Sequence, residues 1–223
     1  MLVVFDYNVE DSRTRCAFTV KNIHLNTETR KVHKLFDRIA ACLPKAVMVN
    51  AITFRSVGVK YANQKDIISG HGASYHGGRW NPPGIRAVYA SLDLETAVME
   101  SYQEFVKFGF PDQSIKPRVL AGIKLNVKRL FDLTDAGIRR KIGFRLNDLT
   151  HEDWYSFQID GEAWTQVIGR GAFIAGFEGV ISPSARRRLG ENIVIFPDNL
   201  DPMSTVELMS KDELPPHPSD WPK

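Results

Sequence analysis

The spacing of apolar residues predicts a helix near the amino terminus, preceded by short extended segments. Apolar side chains recur every three or four positions and the pattern ends at Pro44, as in an amphipathic helix. The recurring residues are Val32, Leu35, Phe36, Ile39 and Leu43. Before them, the short apolar runs at 2–5 and 17–20 suggest β-strands. We therefore expect residues 1–50 to form an N-terminal extension that packs on or beside the main domain.

A different pattern begins at residue 51. Apolar and polar residues alternate over 52–57, which predicts a half-buried strand. The stretch 69–84 is rich in Gly and Pro and is predicted to be a loop. A short strand at 86–90 follows, and Ser91 or Asp93 can cap the helix after it.

The second half of the chain mixes short apolar runs with helical segments. The predicted strands are 119–125, 128–133, 179–182 and 192–196. A helix or loop is expected at 134–149, and a helix at 165–174. This mixture predicts an α+β fold with a mainly antiparallel sheet. The main domain is expected to span 51–200, and 201–223, with its Pro-rich end, to form a C-terminal tail.

Composition narrows the class of protein without naming a function. Apolar residues make up 43% of the 223 residues and charged residues 25%, as in an ordinary globular domain. No apolar run is long enough to span a membrane, and no basic segment precedes an apolar one as in a secretory signal. Two cysteines do not make a disulfide framework in a chain of this length. We therefore expect a cytoplasmic protein.

Charge and simple motifs exclude several kinds of site. The net charge of +3 is too small to indicate nucleic-acid binding by itself. The phosphate-binding, serine-hydrolase and zinc-protease signatures are absent from the sequence. His71 and His76 have no third His or Cys nearby, so no metal site is expected. The arginines at 186–188 suit either phosphate binding or a solvated turn.

Several segments together resemble the RES-domain family. They are Gly-x-Gly-Ala at 70–73, Gly-Gly-Arg-Trp-Asn-Pro-Pro-Gly at 77–84, Ala-Val-Tyr-Ala-Ser at 87–91, Glu-Thr-Ala-Val-Met-Glu at 95–100 and Gly-Val-Ile-Ser-Pro-Ser-Ala at 179–185. The resemblance covers about 52–200. It implies a fold like that of ADP-ribosyltransferases, with mixed sheets around a cleft. It also implies a toxin of a type II toxin–antitoxin pair that consumes NAD as its substrate or transfers its ADP-ribose, and so arrests growth. The implied partner is an Xre-like helix-turn-helix antitoxin, with DNA contacted only through it.

The resemblance assigns a catalytic role to four side chains. Arg79 would hold the pyrophosphate of NAD, because a guanidinium binds phosphate oxygens in a bidentate manner. Tyr89 would stack on nicotinamide and offer its hydroxyl to a polar group. Glu100 would stabilise the positive charge that develops on the ribose, although helical periodicity alone places it on the solvent side. Ser184 would hydrogen-bond nicotinamide or ribose, with structural bonding within a turn as the alternative.

Further residues are implied to bind NAD. Arg55 matches a recurrent arginine of the family, Thr165 and Gln166 fall where some members carry small polar residues, and Asn192 is a weaker candidate. Trp80 is predicted to be a packing anchor under the loop.

Two alternatives stay open from the sequence. Within the enzyme hypothesis, NAD is either broken down by water or phosphate or used to modify a protein acceptor. The other hypothesis is a non-catalytic module that binds RNA or phosphate through Arg79, Trp80, Arg86 and the arginines at 186–188.

Overall fold

The computed structural model describes residues 27–107 and 118–220, and the predicted strands at 2–5 and 17–20 lie outside them. The helices in this part of the chain are α1 (Thr27–Ala40), α2 (Gln64–Ile68), α3 (His71–His76), α4 (Leu94–Lys107), α5 (Ala136–Ile142), α6 (Leu146–Thr150), α7 (Trp154–Asp160) and α8 (Trp164–Ile174). The strands are β1 (Val47–Gly58), β2 (Val88–Ser91), β3 (Arg118–Asp132), β4 (Gly179–Pro183), β5 (Glu191–Ile195) and β6 (Thr205–Leu208). The predicted α+β class is confirmed.

The six strands form one sheet in the order β1–β2–β5–β4–β3–β6. Only the pairing of β3 with β4 is parallel, and the others described are antiparallel. Strand β1 pairs with β3 along most of its length and with β2 through Phe54 and Ser91, so the pairings close into a circuit. Five strands thus curl around an interior, with β6 added at the outer side of β3.

Alternation along the strands divides the core into two clusters. On β5, Ile193 and Ile195 pack inside the curled sheet, whereas Val194 packs against the helices on the other face. Strand β4 divides in the same way between Ile181 and Val180. Since successive side chains of a strand point to opposite faces, apolar runs such as 193–196 indicate strands that are buried on both faces.

Helix α1 completes the helical face of the core. Leu35 and Ile39 are buried, and they pack in the same cluster as Phe131, Ile168 and Phe177 of the main domain. Helix α1 therefore contributes two buried side chains to the core cluster of the helical face.

Three elements differ from the predicted pattern. The predicted loop at 69–84 contains α3 and then a tight turn. Helix α3 fits there because the glycines at its two ends, Gly70 and Gly77, adopt positive φ. The two strands predicted at 119–125 and 128–133 are one continuous strand. Part of the predicted C-terminal tail forms β6, which pairs with β3.

Helix α4 is capped as predicted, since the Asp93 side chain accepts from the backbone N–H of Thr96 at 2.8 Å. Within the described residues, no helix combines the length and apolar character needed to cross a bilayer.

Candidate functional site

A tight turn after α3 forms one wall of the site. The backbone N–H of Gly78 donates to the carbonyl of Asn81 at 2.9 Å, and the N–H of Asn81 donates back to Gly78 at 3.3 Å. A Cβ on Gly78 would lie 2.5 Å from the hydroxyl of Tyr89. Glycine is therefore required here because the turn approaches the tyrosine so closely.

The amide of Asn81 holds this turn together from inside. Its side chain is fully buried and its Nδ2 donates to the carbonyls of Ala73 and Ile85, each at 2.9 Å. Its Oδ1 accepts from the hydroxyl of Tyr89 at 2.7 Å. Every polar atom of the amide is thus satisfied, which makes the turn a rigid support.

Trp80 anchors the turn, as predicted. Its side chain is 2% exposed and lies in the core cluster of the helical face. Its carbonyl faces α8 so closely that a Cβ on Gly169 would lie 1.8 Å from the carbonyl oxygen. Because the indole is buried, it cannot stack on a base, and the RNA-binding alternative loses its aromatic platform.

Tyr89 connects β2 to this turn. Its hydroxyl donates to Asn81 and accepts from the backbone N–H of Trp80 at 2.9 Å. Burial raises the pKa of the phenol well above its usual value, so the hydroxyl stays protonated at neutral pH. Both polar partners of the hydroxyl thus belong to the turn.

Arg79 is fixed at one end and unengaged at the other. Its Nη1 donates to the carbonyls of Leu149 and Glu152 at 3.0 and 3.1 Å. Burial lowers the pKa of the guanidinium, Glu100 acts in the opposite direction, and Arg186 lowers it further. Its Nε and Nη2 find no acceptor within 27–107 and 118–220. The group is therefore a positioned cation that keeps donors for a ligand.

Arg55 is a second, more deeply placed cation. Its Nη1 donates to the carbonyl of Tyr89 at 3.1 Å, whereas its Nε is buried without a partner. Chiefly through burial, and also through nearby Arg118, its pKa is lowered to about 10, against the opposing influence of Tyr89. An unpartnered buried N–H is costly, and a bound anion would relieve that cost.

Glu100 is held by Ser184, which directly follows β4, and by Asn192 on β5. Its Oε1 accepts from Ser184 Oγ at 2.6 Å and from Asn192 Nδ2 at 2.7 Å. The amide of Asn192 is oriented in turn by Ser91, whose hydroxyl donates to it at 2.7 Å. No donor among the described residues contacts Oε2. The carboxylate is therefore fixed through one oxygen, and the other is available.

Two adjoining cavities bring these groups together. Arg79, Tyr89 and Glu100 line the larger one, of about 460 Å³. The smaller, of about 240 Å³, shares four residues with it, namely Arg55, Tyr89, Glu100 and Asn192. We call the two together the cleft. Predicted residues from five separate segments of the sequence thus lie around one space.

The remaining predicted residues lie behind the walls of the cleft. Ser184 meets it through its bond to Glu100. Thr165 and Gln166 are fully buried and do not line either cavity. The Thr165 hydroxyl donates to Glu152 at 2.6 Å, and Gln166 Nε2 donates to the carbonyl of Gly78 at 3.0 Å. Their contacts support the Arg79 loop, so their direct binding of NAD stays a prediction that this geometry does not favour.

Two supports of the site were not predicted. Asn81 lies inside the recognised motif, but nothing in the sequence shows that its amide organises the turn. Glu152 accepts from the backbone N–H groups of Trp164 and Thr165, both at 2.8 Å, while its own carbonyl binds Arg79. It lies far from every motif, and no pattern in the sequence identifies it.

Two of the four other arginines of the RNA-binding hypothesis are paired with carboxylates away from the cleft. Arg86 forms an ion pair with Asp198, and Arg187 pairs with Asp93 and Glu95. The described residues hold no group of three or more His, Cys, Asp or Glu side chains that could bind a metal ion.

Comparison with known proteins finds a family match and similar proteins. A family model described as the RES domain matches residues 52–217. Relatives named NAD(+) phosphorylase MbcT, from Mycobacterium bovis and Mycobacterium tuberculosis, are 26% identical over 124 residues. The match covers 54% of this chain and 62% of theirs, so it spans less than two thirds of those relatives.

A solved structure shares the fold. A chain in the crystal structure of the M. tuberculosis MbcT–MbcA toxin–antitoxin complex superposes with a TM-score of 0.64 at 24% identity. The match covers 78% of this chain and 88% of that chain. At this identity, the likeness establishes the fold alone.

Proposed function

This chain belongs to the RES domain family, and on that basis we propose that it is a toxin that cleaves the nicotinamide–ribose bond of NAD. The observation that carries the proposal is the shared lining of one cavity by Arg79, Tyr89 and Glu100. A guanidinium, an aromatic ring and a carboxylate are what this chemistry requires of a site. The name of the curated relatives, NAD(+) phosphorylase, supports the same substrate.

Charge development at the ribose gives Glu100 its role. As the bond from C1 of the ribose to the nicotinamide nitrogen breaks, its electron pair leaves with neutral nicotinamide and positive charge builds on the ribose. A fixed carboxylate stabilises that charge more than it stabilises the ground state. Ser184 and Asn192 fix Oε1 of Glu100, and Oε2 is the oxygen we assign to the ribose.

The arginines are assigned to the pyrophosphate in the middle of the substrate. Arg79 retains donors that no described residue accepts, and Arg55 has a buried N–H without a partner. We assign both to the pyrophosphate, whose negative charge would offset the burial that lowers their pKa values. The ring of Tyr89 is assigned to nicotinamide stacking, since its hydroxyl is engaged with the turn.

The reaction is completed by an acceptor that attacks C1 of the ribose, and three kinds of acceptor give a balanced reaction. Attack on C1 by water gives ADP-ribose and a proton, and attack by hydrogen phosphate gives ADP-ribose 1-phosphate. Attack by a protein side chain gives an ADP-ribosylated protein. The name of the relatives favours phosphate. The likeness to a chain of a toxin–antitoxin complex supports an antitoxin partner, for which we propose an Xre-like helix-turn-helix protein that alone contacts DNA.

The test is product analysis with the purified chain. NAD is incubated with the protein, with and without inorganic phosphate and with and without cell lysate, and the products are identified by mass spectrometry. Release of nicotinamide is expected, with phosphate steering the product to ADP-ribose 1-phosphate. Intact NAD in every arm, with a folded protein, would refute the proposal.

Growth provides the second measurement. Expression of the chain without a partner is expected to arrest growth, and a catalytically impaired variant such as Glu100→Gln to restore it. If the variant arrests growth as strongly as the original chain, toxicity does not come from NAD cleavage.

A further inference from the structure

A third cavity lies behind one wall of the cleft. It has a volume of about 530 Å³ and is separated from the cleft by a segment that we call the arginine loop, residues 184–190. Pro183, Ala185 and Arg186 line both the cavity and the cleft. Helices α5 and α6 form the opposite side, through residues such as Arg139 and Leu146.

The lining of this cavity is strongly basic. Its cationic and titratable bases are Arg139, Arg186, Arg187, Arg188 and His151. Its one acidic residue is Glu191, whose pKa is raised by burial and by nearby Asp132. Arg187 is neutralised by its two carboxylate partners, but neither Arg186 nor Arg188 has an ion-pair partner among the described residues. The surface therefore has an excess of positive charge that nothing in the described chain balances.

An exposed leucine accompanies the arginines. Leu189 is 90% exposed and has φ +65, one of two positive values among the described non-glycine residues. A branched side chain is strained in this conformation, and an apolar one gains nothing from full exposure to water. Leu146, 44% exposed, lines the same cavity. A basic surface that also exposes apolar side chains suits a ligand that carries both kinds of group.

We propose that this surface binds an acidic peptide segment of a partner protein, one that presents carboxylates to Arg186 and Arg188 and an apolar side chain to Leu189. Charge complementarity selects carboxylates, which arginine binds in a bidentate manner. The described lining holds no Phe, Tyr or Trp side chain, so it lacks the large aromatic rings on which successive RNA bases stack. A peptide with one apolar side chain is therefore favoured over a nucleic acid.

The arginine loop also connects this surface to Glu100. The backbone N–H groups of Arg186 and Arg187 both donate to Ser184 Oγ at 3.0 Å, and the same hydroxyl donates to Glu100. A ligand that pulls on the loop therefore acts on the support of the carboxylate. An effect of the bound segment on NAD turnover rests on the proposed function, whereas its binding does not.

The test is binding of a defined peptide to the full chain. The probe is a fluorescent peptide, Asp-Glu-Glu-Leu-Glu-Asp, followed by fluorescence anisotropy in the absence of NAD. Control peptides replace the acids with Asn and Gln, or the leucine with serine. Saturable binding is expected that weakens as salt rises and is at least tenfold weaker for the neutral peptide.

Matched variants locate the site. Arg186→Gln combined with Arg188→Gln is expected to weaken binding at least tenfold. Arg30→Gln combined with Arg140→Gln, which removes two exposed arginines elsewhere, is expected to change it less than twofold. Leu189→Gly, which relieves the strained backbone, is expected to weaken binding of the leucine peptide and not of the serine peptide.

Three results would overturn the proposal. They are absence of saturable peptide binding, equal loss in both double variants, and tighter arginine-dependent binding of a single-stranded octaribonucleotide than of the peptide. Circular dichroism confirms that each variant is folded. Because the measurement contains no NAD, failure of the proposed enzyme activity would leave its result unchanged.

Discussion

Glu100 illustrates how a residue's neighbours define its role. Its position on α4 lies away from the apolar face of that helix, and periodicity therefore predicts exposure to solvent. In the structure the same flank faces β4 and β5, where Ser184 and Asn192 bind the carboxylate. Both descriptions hold, because a cleft is solvent-filled until a substrate enters it.

Replacement of this carboxylate tests its electrostatic role. Glu100→Gln keeps the size of the side chain and an oxygen that can accept from Ser184, but removes the charge. We expect NAD turnover to fall about 10²–10³-fold with little change in thermal stability. Steady-state kinetics measures the loss, and Glu95→Gln on the same helix is the matched control, since Glu95 is exposed and outside the cleft. Near-normal NAD turnover by Glu100→Gln would show that the carboxylate of Glu100 does not act in the catalytic step.

The fixed end of Arg79 predicts that lysine cannot replace it. An ammonium group cannot bind the carbonyls of Leu149 and Glu152 and still present a planar pair of donors to a pyrophosphate. For Arg79→Lys we expect the KM for NAD to rise about tenfold or more, which corresponds to about 1.4 kcal/mol. Arg86→Lys, which changes an arginine paired with Asp198 away from the cleft, serves as the control. An unchanged KM for Arg79→Lys would contradict the assignment.

Contact between helix α8 and the Arg79 turn shows how whole elements determine the site. Gly169 lets the helix approach the carbonyl of Trp80, and Gln166 on the same helix donates to the carbonyl of Gly78. The N-terminus of α8 is bound by the carboxylate of Glu152, whose carbonyl holds Arg79. The helix thus positions the turn by direct contact, and it positions Arg79 through Glu152.

Substitution of Gly169 tests this contact. A Cβ there would lie 1.8 Å from the Trp80 carbonyl, so Gly169→Ala is expected to destabilise the protein by about 1–3 kcal/mol despite the better helix propensity of alanine. Gly72→Ala in α3 is the matched control, because nothing lies within 4 Å of its added Cβ. Thermal unfolding measures both. Equal melting temperatures for the two variants would show that the turn moves freely away from α8.

At the scale of the whole molecule, helix α1 and the family-matched residues share the core cluster of the helical face. The family match begins at residue 52, yet Leu35 and Ile39 of α1 are buried against residues from the rest of the chain. Because these side chains share a buried cluster with the family-matched residues, α1 contributes to the stability of the folded chain.

Truncation of one core side chain in α1 measures that contribution. Leu35→Ala is expected to lower the free energy of unfolding by about 2–5 kcal/mol, because it removes buried methyl groups and leaves a cavity. Chemical denaturation gives the value, with Lys34→Ala on the exposed face of α1 as the control. A loss below the control's would indicate that α1 detaches from the core in solution.

Local patterns in the sequence predicted the secondary structure of most elements, and the family resemblance proposed the residues of the site. Periodicity identified α1, α8 and the apolar strands, since each depends on residues close together in the chain. It did not identify α3, because a helix of six residues between two glycines carries too few apolar positions to show a period. The family resemblance carried by the clustered motifs proposed Arg79, Tyr89 and Glu100, and the structure places all three around one cavity, while their roles in the reaction stay predictions.

The tertiary structure alone decided which side chains meet and which of them are free to bind. Burial of Thr165 and Gln166, the amide of Asn81 in the turn, and the capping carboxylate of Glu152 depend on contacts between segments that lie far apart in sequence. The closure of β1 onto both β2 and β3 is likewise invisible in any single segment. Periodicity in the sequence shows which face of a single helix or strand is buried and which is exposed to solvent. Hydrogen-bond partners and cavities, in contrast, arise only when several elements pack together.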